Sequence, residues 1–329
     1  MKILHTEWSQ GWGGQEIRIL AESRALCARE HGVAIACRPD SRIYERAQEA
    51  GIAVHPVGFR HTLDFGSIRE LIRCVRRGGF EVIHTHSSID SWCGAFAGRL
   101  AGVPVVRSRH LSSPVKPRLN NRWLYGGLPR YVITSGETIK RQLVEQLRVP
   151  AGRVVSIPAG ADEARFHPGV DGAGVRASLG FDATDFVVAI VAVLRSWKGH
   201  QVLIDAIGKL RARHPHVRLL IAGDGPGRQG LEEKVREKGL EKTVVLAGHR
   251  EDVPEIMRAA DLVVLPSLKN EATSQCIPQA MLCEKPVIVS SAGGLPEVVR
   301  HRETGLVVPP GDSDELAEAI AHMMEDEGF

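Results

Sequence analysis

Two α/β domains, each with a parallel sheet, are what this sequence predicts, and three observations predict them. Short runs rich in Val and Ile alternate with longer amphipathic segments almost from end to end, the signature of βαβ units. At 329 residues the chain is long enough for two full cores. Pro158-Ala159-Gly160-Ala161-Asp162, followed by Phe166-His167-Pro168-Gly169, breaks the apolar periodicity near the middle. A boundary there gives an N-terminal domain over 1–165 and a C-terminal domain over 166–329.

Strands of the first half are expected near Ile3–His5, Val33–Cys37, Ile52–Val57, Val82–Thr85, Val103–Val106, Tyr131–Thr134 and Val154–Ile157. Helical periodicity fills the gaps, for example over Glu16–Glu30 and Phe65–Arg76. In the second half strands are expected near Phe186–Val193, Val217–Ala222, Val244–Ala247, Leu262–Leu265, Val287–Ser290 and Leu306–Val308. Doubly wound sheets of this kind bind ligands at the carboxyl ends of their strands, so two such domains imply a cleft lined by both.

The chain carries a formal net charge of +3, which hides an asymmetry. Residues 1–165 hold 24 Lys+Arg against 15 Asp+Glu, a balance of +9, and the remainder holds 18 against 24, a balance of −6. A basic half meets an anionic membrane surface or a phosphorylated acceptor, or is simply a solvated face. Nucleic acid is not expected, because no recognition motif or interleaved aromatics accompany the charge. No stretch approaches the ~18 uninterrupted apolar residues of a membrane helix. Met1-Lys2-Ile3-Leu4-His5 reads as a first strand and not as a signal peptide. Cys27, Cys37, Cys74, Cys93, Cys276 and Cys283 lack CxxC spacing and read as small buried hydrophobes in a reducing compartment. A cytoplasmic protein, at most peripheral at the inner face of a membrane, is the expectation.

Three stretches carry chemistry. Gly11-Trp12-Gly13-Gly14-Gln15-Glu16 lies between the first strand and its helix, where glycines let backbone N–H groups approach a phosphate. The same loop also reads as a tight turn. Arg195-Ser196-Trp197-Lys198-Gly199-His200 follows the first strand of the second half, and two cations at such a junction suit a diphosphate. The run from Pro266 to Met281 follows the strand near Leu262–Leu265. It is expected to place Glu271 in the loop, the amides of Ala272, Thr273 and Ser274 at a helix N-terminus able to hold phosphate, and Gln279 a little over two turns into that helix. Ser291-Ala292-Gly293-Gly294-Leu295-Pro296-Glu297 repeats the strand, glycine-loop and helix arrangement. Asp312-Ser313-Asp314 resembles a metal-binding DxD but precedes a helix and reads as its N-cap.

Taken in order, the blocks Ser156 to Asp162, Arg195 to Gly199, Ala222-Gly223-Asp224-Gly225-Pro226, Ala260 to Ser267, Glu271 to Met281 and Gly305 to Asp312 resemble glycosyltransferase family four, the "group 1" family. The N-terminal half is similar through Gly13 to Glu16, His84 to Ser88 and Arg107-Ser108-Arg109-His110. The resemblance implies a GT-B enzyme, two Rossmann-like domains facing a cleft, that moves a sugar with retention from a nucleotide-diphosphate sugar to a glycan or lipid-linked acceptor. Cell-surface polysaccharide or lipopolysaccharide assembly is the setting it suggests.

Residue by residue, the first acid of the family's Glu-x7-Glu motif falls on Glu271, beside the donor sugar. The second acid, a ribose ligand in the family, is Gln279 here. The family's Arg position is Val193, and Arg195 is expected to reach the diphosphate beside Lys198 from a shifted place. Gly13 and Gly14 match the loop over the phosphates, Gly223 lies in a donor-side block, and the base is expected near His249-Arg250. His110 matches the acceptor-domain histidine that contacts the transferred sugar. The resemblance implies no cofactor and no essential divalent metal, since the two cations and helix dipoles stabilise the leaving UDP or GDP. A GT-B nucleotide-sugar epimerase and a non-catalytic nucleotide-sugar-binding scaffold stay open, the latter favoured by Gln279 and Val193. Family members usually continue past the last Pro-Gly-Asp block into a helix that crosses back to the N-terminal domain. This sequence stops at Glu327-Gly328-Phe329, so weaker coupling of the domains is expected.

Overall fold

The computed structural model describes residues 1–110, 113–269 and 271–325. Asn270 and the terminal Glu327-Gly328-Phe329, named above, lie outside them. The chain divides into two compact units, Met1–Pro158 and Ala159–Phe329. Each is a parallel sheet with helices between successive strands, the two-sheet Rossmann-like architecture expected from the alternating pattern.

The first unit holds β1 (Lys2–Glu7), β2 (Gly32–Cys37), β3 (Ala53–Pro56), β4 (Val82–Thr85), β5 (Val105–Arg109), β6 (Tyr131–Thr134) and β7 (Val154–Ser156). Their order is β3-β2-β1-β4-β5-β6-β7, with every pairing parallel. The chain therefore winds outward twice from β1 and β4, and the order reverses between them. Strand and helix faces bury one another: Leu4, Ile83 and Val105 pack with Ile68, Leu71 and Cys93, while Val132 and Val154 pack with Leu124, Leu143 and Leu147. Helix 65–78 starts where the Asp64 carboxylate accepts from the amides of Gly66 and Ser67.

The second unit holds β8 (Phe186–Val191), β9 (Val217–Ala222), β10 (Val244–Gly248), β11 (Leu262–Leu265), β12 (Val287–Ser290) and β13 (Leu306–Val308). Their order is β10-β9-β8-β11-β12-β13, again all parallel. Val188, Ile190, Leu219, Ile221, Val263 and Ile288 are fully buried, as befits strands covered on both faces. The order reverses between β8 and β11, which makes their carboxyl ends the place where this sheet receives a ligand.

Several expectations need correction. The helix after β11 is Cys276–Leu282, so Gln279 sits in its first turn, and Ala272, Thr273 and Ser274 precede the helix instead of opening it. Pro278 explains the late start, since proline is accommodated where the N–H has no intrahelical partner. The segment after β12 forms a 3₁₀ turn, Leu295–Glu297, and no α-helix. Among the cysteines, Cys27 is exposed and Cys74 only partly covered; Cys37, Cys93, Cys276 and Cys283 are buried. Asp312 caps helix 313–325 as expected, its Oδ1 accepting from the amides of Asp314 and Glu315 at 3.0 Å each.

Candidate functional site

In the second unit the switch point brings together the two residues the sequence placed in separate motifs. Lys198 ends the 3₁₀ turn Ser196–Lys198 after β8, and Glu271 lies in the loop after β11. Lys198 Nζ donates to Oε1 and Oε2 of Glu271 at 2.9 Å each, and Ser267 Oγ donates to Oε2 at 2.7 Å. Glu271 is buried, so this carboxylate is fixed by three contacts to two partners.

Two glycines hold these loops at the required distance. Gly199 adopts φ +80°, and a Cβ there would stand 1.9 Å from the Pro266 carbonyl oxygen. Gly293 adopts φ +61°, and its Cβ would stand 2.0 Å from the carbonyl oxygen of Glu271, which instead accepts from the amide of Gly294 at 2.9 Å. The glycine loop after β12 is thus a brace for Glu271, a role the sequence reading missed because it sought a helix there.

The other donor-side residues are placed as follows. Arg195 is exposed, with its guanidinium carbon 5.1 Å from the centre of the Trp197 ring, so the Trp holds the cation near the sheet edge. Arg250 is folded onto Asp252 by two hydrogen bonds, Nε to Oδ1 at 2.7 Å and Nη2 to Oδ2. Gly223 follows β9 and donates its amide to Gly248 at 2.8 Å. Thr273 is buried, Ser274 Oγ lies 3.3 Å from Cys276 Sγ, and Gln279 is partly exposed. His200, next to Gly199, is buried and neutral: burial first, then Lys198, pushes it down to about 4.

In the first unit the carboxyl ends of β1, β4 and β5 carry a polar network that the sequence did not reveal. Gly13 is not a positive-φ position, and its amide donates to Glu16 Oε2 at 2.9 Å. A Cβ at Gly14 would meet nothing within 4 Å, so the space beside that glycine is open. Gln15 Nε2 donates to Glu7 Oε2 and to Ser87 Oγ, and Ser87 Oγ donates to Glu7 Oε1 at 2.7 Å. Burial, then the nearby Asp90 carboxylate, pushes Glu7 up to about 8. Asp90 accepts from Thr6 Oγ1 at 2.8 Å and from the amides of His86 and Ser87 at 2.9 and 3.0 Å.

His110 ends a line of three imidazoles. His5 Nδ1 and His86 Nε2 are 2.9 Å apart, as are His86 Nδ1 and His110 Nε2, and His84 Nε2 lies 2.8 Å from Ser108 Oγ. Burial drives all four rings toward neutrality, with His5 lowered to about 4 and His110 to about 3. The possible ligand nitrogens of His5, His84 and His86 lie within 4.8 Å of one another. His86 has committed both of its nitrogens to hydrogen bonds, so a metal ion bound through it would have to break that network. The sequence named His84 and His86 without seeing that β1 supplies His5 beside them.

With this geometry in hand, comparison with known proteins decides the family. Residues 12–165 match the model of Glycosyltransferase Family 4, and residues 174–329 match that of glycosyl transferases group 1. Both halves are glycosyltransferase domains. D-inositol 3-phosphate glycosyltransferase of Mycobacteroides abscessus is 31% identical over 275 residues, 76% of this chain; the chain spans 60% of that relative's length. The enzyme of the same name from Rhodococcus jostii is 28% identical over 96% of this chain and 78% of its own. The crystal structure of Anabaena Alr3699/HepE in complex with UDP superposes with a TM-score of 0.87 at 28% identity, covering all of this chain and 91% of that one. A glycosyltransferase from Rickettsia africae shares the fold with a TM-score of 0.90 at 18% identity. The chain has the GT-B fold. Among the described residues no helix is long and apolar enough to cross a membrane.

Proposed function

We propose that this protein transfers a sugar, with retention at the anomeric carbon, from a nucleotide-diphosphate sugar to an anionic glycan or lipid-linked acceptor. One observation carries the reading: Lys198 and Glu271 meet at the β8/β11 switch point. An ammonium and a carboxylate fixed there suit a diphosphate and a sugar bound side by side. HepE is described in complexes with UDP, with UDP-glucose and with UDP and glucose, which supports a UDP-sugar donor.

In the mechanism, the bond between the anomeric carbon and the diphosphate oxygen lengthens to an oxocarbenium-like transition state. The leaving diphosphate takes the proton of the acceptor hydroxyl as that oxygen attacks the same face. Lys198 swings from Glu271 to the diphosphate, Arg195 joins it, and Glu271 stays beside the sugar. The Gly14 amide and the loop amides of Thr273 and Ser274 hold phosphate oxygens. Gln279 bonds the ribose through its amide, Gly223 and Arg250 flank the nucleotide, and His110 meets the transferred sugar. The two cations take the place of a divalent metal, and no cofactor takes part.

The acceptor carries phosphate or a lipid. Support comes from the basic 1–165 half and from relatives named for inositol 3-phosphate. Assembly of cell-surface polysaccharide or lipopolysaccharide at the cytoplasmic face of a membrane fits that chemistry. A thermal-shift series with UDP, GDP and their sugars tests the donor half, because a ligand that binds only the folded state raises its midpoint. Absence of any shift at millimolar nucleoside diphosphate defeats the proposal.

A further inference from the structure

The first unit contains a buried cation pair that the proposed donor chemistry does not use. Arg107 and Arg109 lie two apart on β5, so strand alternation puts both side chains on one face. Tyr125, from the π-helical turn Trp123–Gly127, covers that face. Arg107 is 3% exposed; its Nη2 donates to Tyr125 Oη at 3.1 Å, and its guanidinium carbon stands 4.3 Å from the ring centre. Arg109 Nη2 donates to the carbonyl and hydroxyl of Ser113 at 2.9 and 3.1 Å.

What remains is unusual for a protein interior. Nε and Nη1 of Arg107 and Nε of Arg109 are closed off from solvent and have no acceptor among the described residues. Guanidiniums do not lose their protons to relieve such a site, so two positive charges stay there. Asp90 is close enough to feel Arg107, but both its oxygens already accept hydrogen bonds from Thr6, His86 and Ser87. Burial alone would raise the Tyr125 phenol, yet the two arginines outweigh it and pull it below its ordinary value, a measure of the local positive potential.

An ion pair with another side chain is the usual relief for such charges, and no ion pair involving either arginine occurs among the described residues. The site lies at the carboxyl end of β5, the edge where a doubly wound sheet receives its ligand, and the residue after Arg109 is His110. We propose that Arg107, Arg109 and Tyr125 form an oxyanion site that takes a phosphomonoester. Guanidinium forks match phosphate oxygens in pairs, and three unpartnered nitrogens on two cations, with four N–H bonds between them, suit a dianion better than a carboxylate. Assigning that phosphate to the sugar acceptor rests on the glycosyltransferase reading above; binding of the anion itself does not.

The experiment uses the whole chain with UDP present at saturation, so that phosphate cannot report on the donor half. Calorimetric titrations compare inorganic phosphate, a hexose phosphate and the same hexose without phosphate. The expected result is that hexose phosphate binds at least tenfold tighter than either other probe. Arg109→Gln should weaken it at least tenfold while UDP affinity is unchanged. Arg107→Gln should do the same; if its burial prevents folding, the partly exposed Arg109 still decides the matter. Equal binding of inorganic and hexose phosphate, both lost in Arg109→Gln, supports the site and overturns the acceptor assignment. Phosphate binding indifferent to Arg109→Gln overturns the site. So does a Tyr125 phenolate absorbance at pH 7 that Tyr125→Phe abolishes, because the counter-ion is then internal. Failure of UDP to bind while hexose phosphate still does would strike the proposed function and leave this site standing.

Discussion

Lys198 and Glu271 come from the two strands between which the second sheet reverses its order, and one ammonium nitrogen stands 2.9 Å from both oxygens of one buried carboxylate. Each is the other's counter-charge, and in the proposed mechanism a diphosphate competes for the lysine. Substitutions of the two should therefore act oppositely on nucleotide affinity. Glu271→Gln frees Lys198, so UDP should bind as well or better, while transfer falls by roughly 10²-fold or more. Lys198→Met should weaken UDP binding outright. Titration calorimetry beside initial rates separates the two, and equal losses of UDP affinity in both variants would refute the exchange.

Glycines near the site make opposite demands, and their alanine variants should diverge. Alanine at Gly199 or Gly293 combines a positive φ with a Cβ about 2 Å from a carbonyl oxygen, so each should lose a few kcal/mol of stability. Gly14 opens helix 14–28 with free space where a Cβ would go. Gly14→Ala should leave the melting temperature unchanged or raised, by about 0.5–1 kcal/mol of helix preference. UDP-sugar affinity should nevertheless fall, because the added methyl occupies the approach to the loop amides. Undiminished affinity in Gly14→Ala would remove that loop from the donor site.

Much of this was legible in the sequence, for a physical reason. A buried parallel strand needs a short β-branched run, so the run from Leu262 to Leu265 announces β11 to the residue. Where a strand continues through polar residues the signal fades: β5 begins at Val105 and extends through Arg107, Ser108 and Arg109, beyond the expected end at Val106. That extension carries the buried arginine pair, which no hydrophobic pattern could flag. Contacts between distant segments were equally hidden. His5 and His86 are 81 positions apart, and only the β1–β4 pairing makes them neighbours. The motif from Glu271 to Gln279 placed Glu271 in the loop after β11, where it lies, but Pro278 delays the helix and moves Gln279 into its first turn.

Turnover should not need a divalent metal. Activity in the presence of a chelator should equal that without it, because in the proposed mechanism Arg195 and Lys198 offset the negative charge of the leaving group. Loss of activity with chelator, restored by magnesium or manganese, would show that the cations do not suffice.

Stability should fall steeply in mild acid because of the first unit. His5, His84, His86 and His110 are neutral when folded, with burial the leading cause, whereas the unfolded chain takes up protons below about 6.5. A lowered histidine pKa thus gives stability that is present above the unfolded value and lost as pH drops through 6.5 toward 4. Between pH 7 and 5 His5 and His110 each cost about 2 kcal/mol, and His84 and His86 act in the same direction. Glu7 works the other way: its raised pKa of about 8 means the folded state holds the proton, so acidification over the same interval returns about 3 kcal/mol. Four rings outweigh one carboxyl. Urea unfolding at pH 7 and pH 5 should show a clear net loss, and His5→Asn should reduce it. A flat profile would mean that the rings are solvated.

The imidazole line should also fix which nitrogen His110 presents. Three neutral rings in series have two proton arrangements. In one, His5 keeps its proton on Nε2, which is buried without a partner, and an orphaned N–H is the costlier defect. In the other, His5 Nδ1 donates to His86 Nε2, His86 Nδ1 donates to His110 Nε2, and only a bare lone pair on His5 is left unmet. That arrangement leaves His110 with its proton on Nδ1, ready to donate to a sugar hydroxyl. His86→Phe removes the control, so kcat should fall about tenfold or more with little change in UDP affinity. Nitrogen-15 shifts of His110 decide directly: a protonated Nδ1 in the native protein, redistributed in His86→Phe, is the expected spectrum, and a native protein protonated on Nε2 would reverse the order of donors along the whole line.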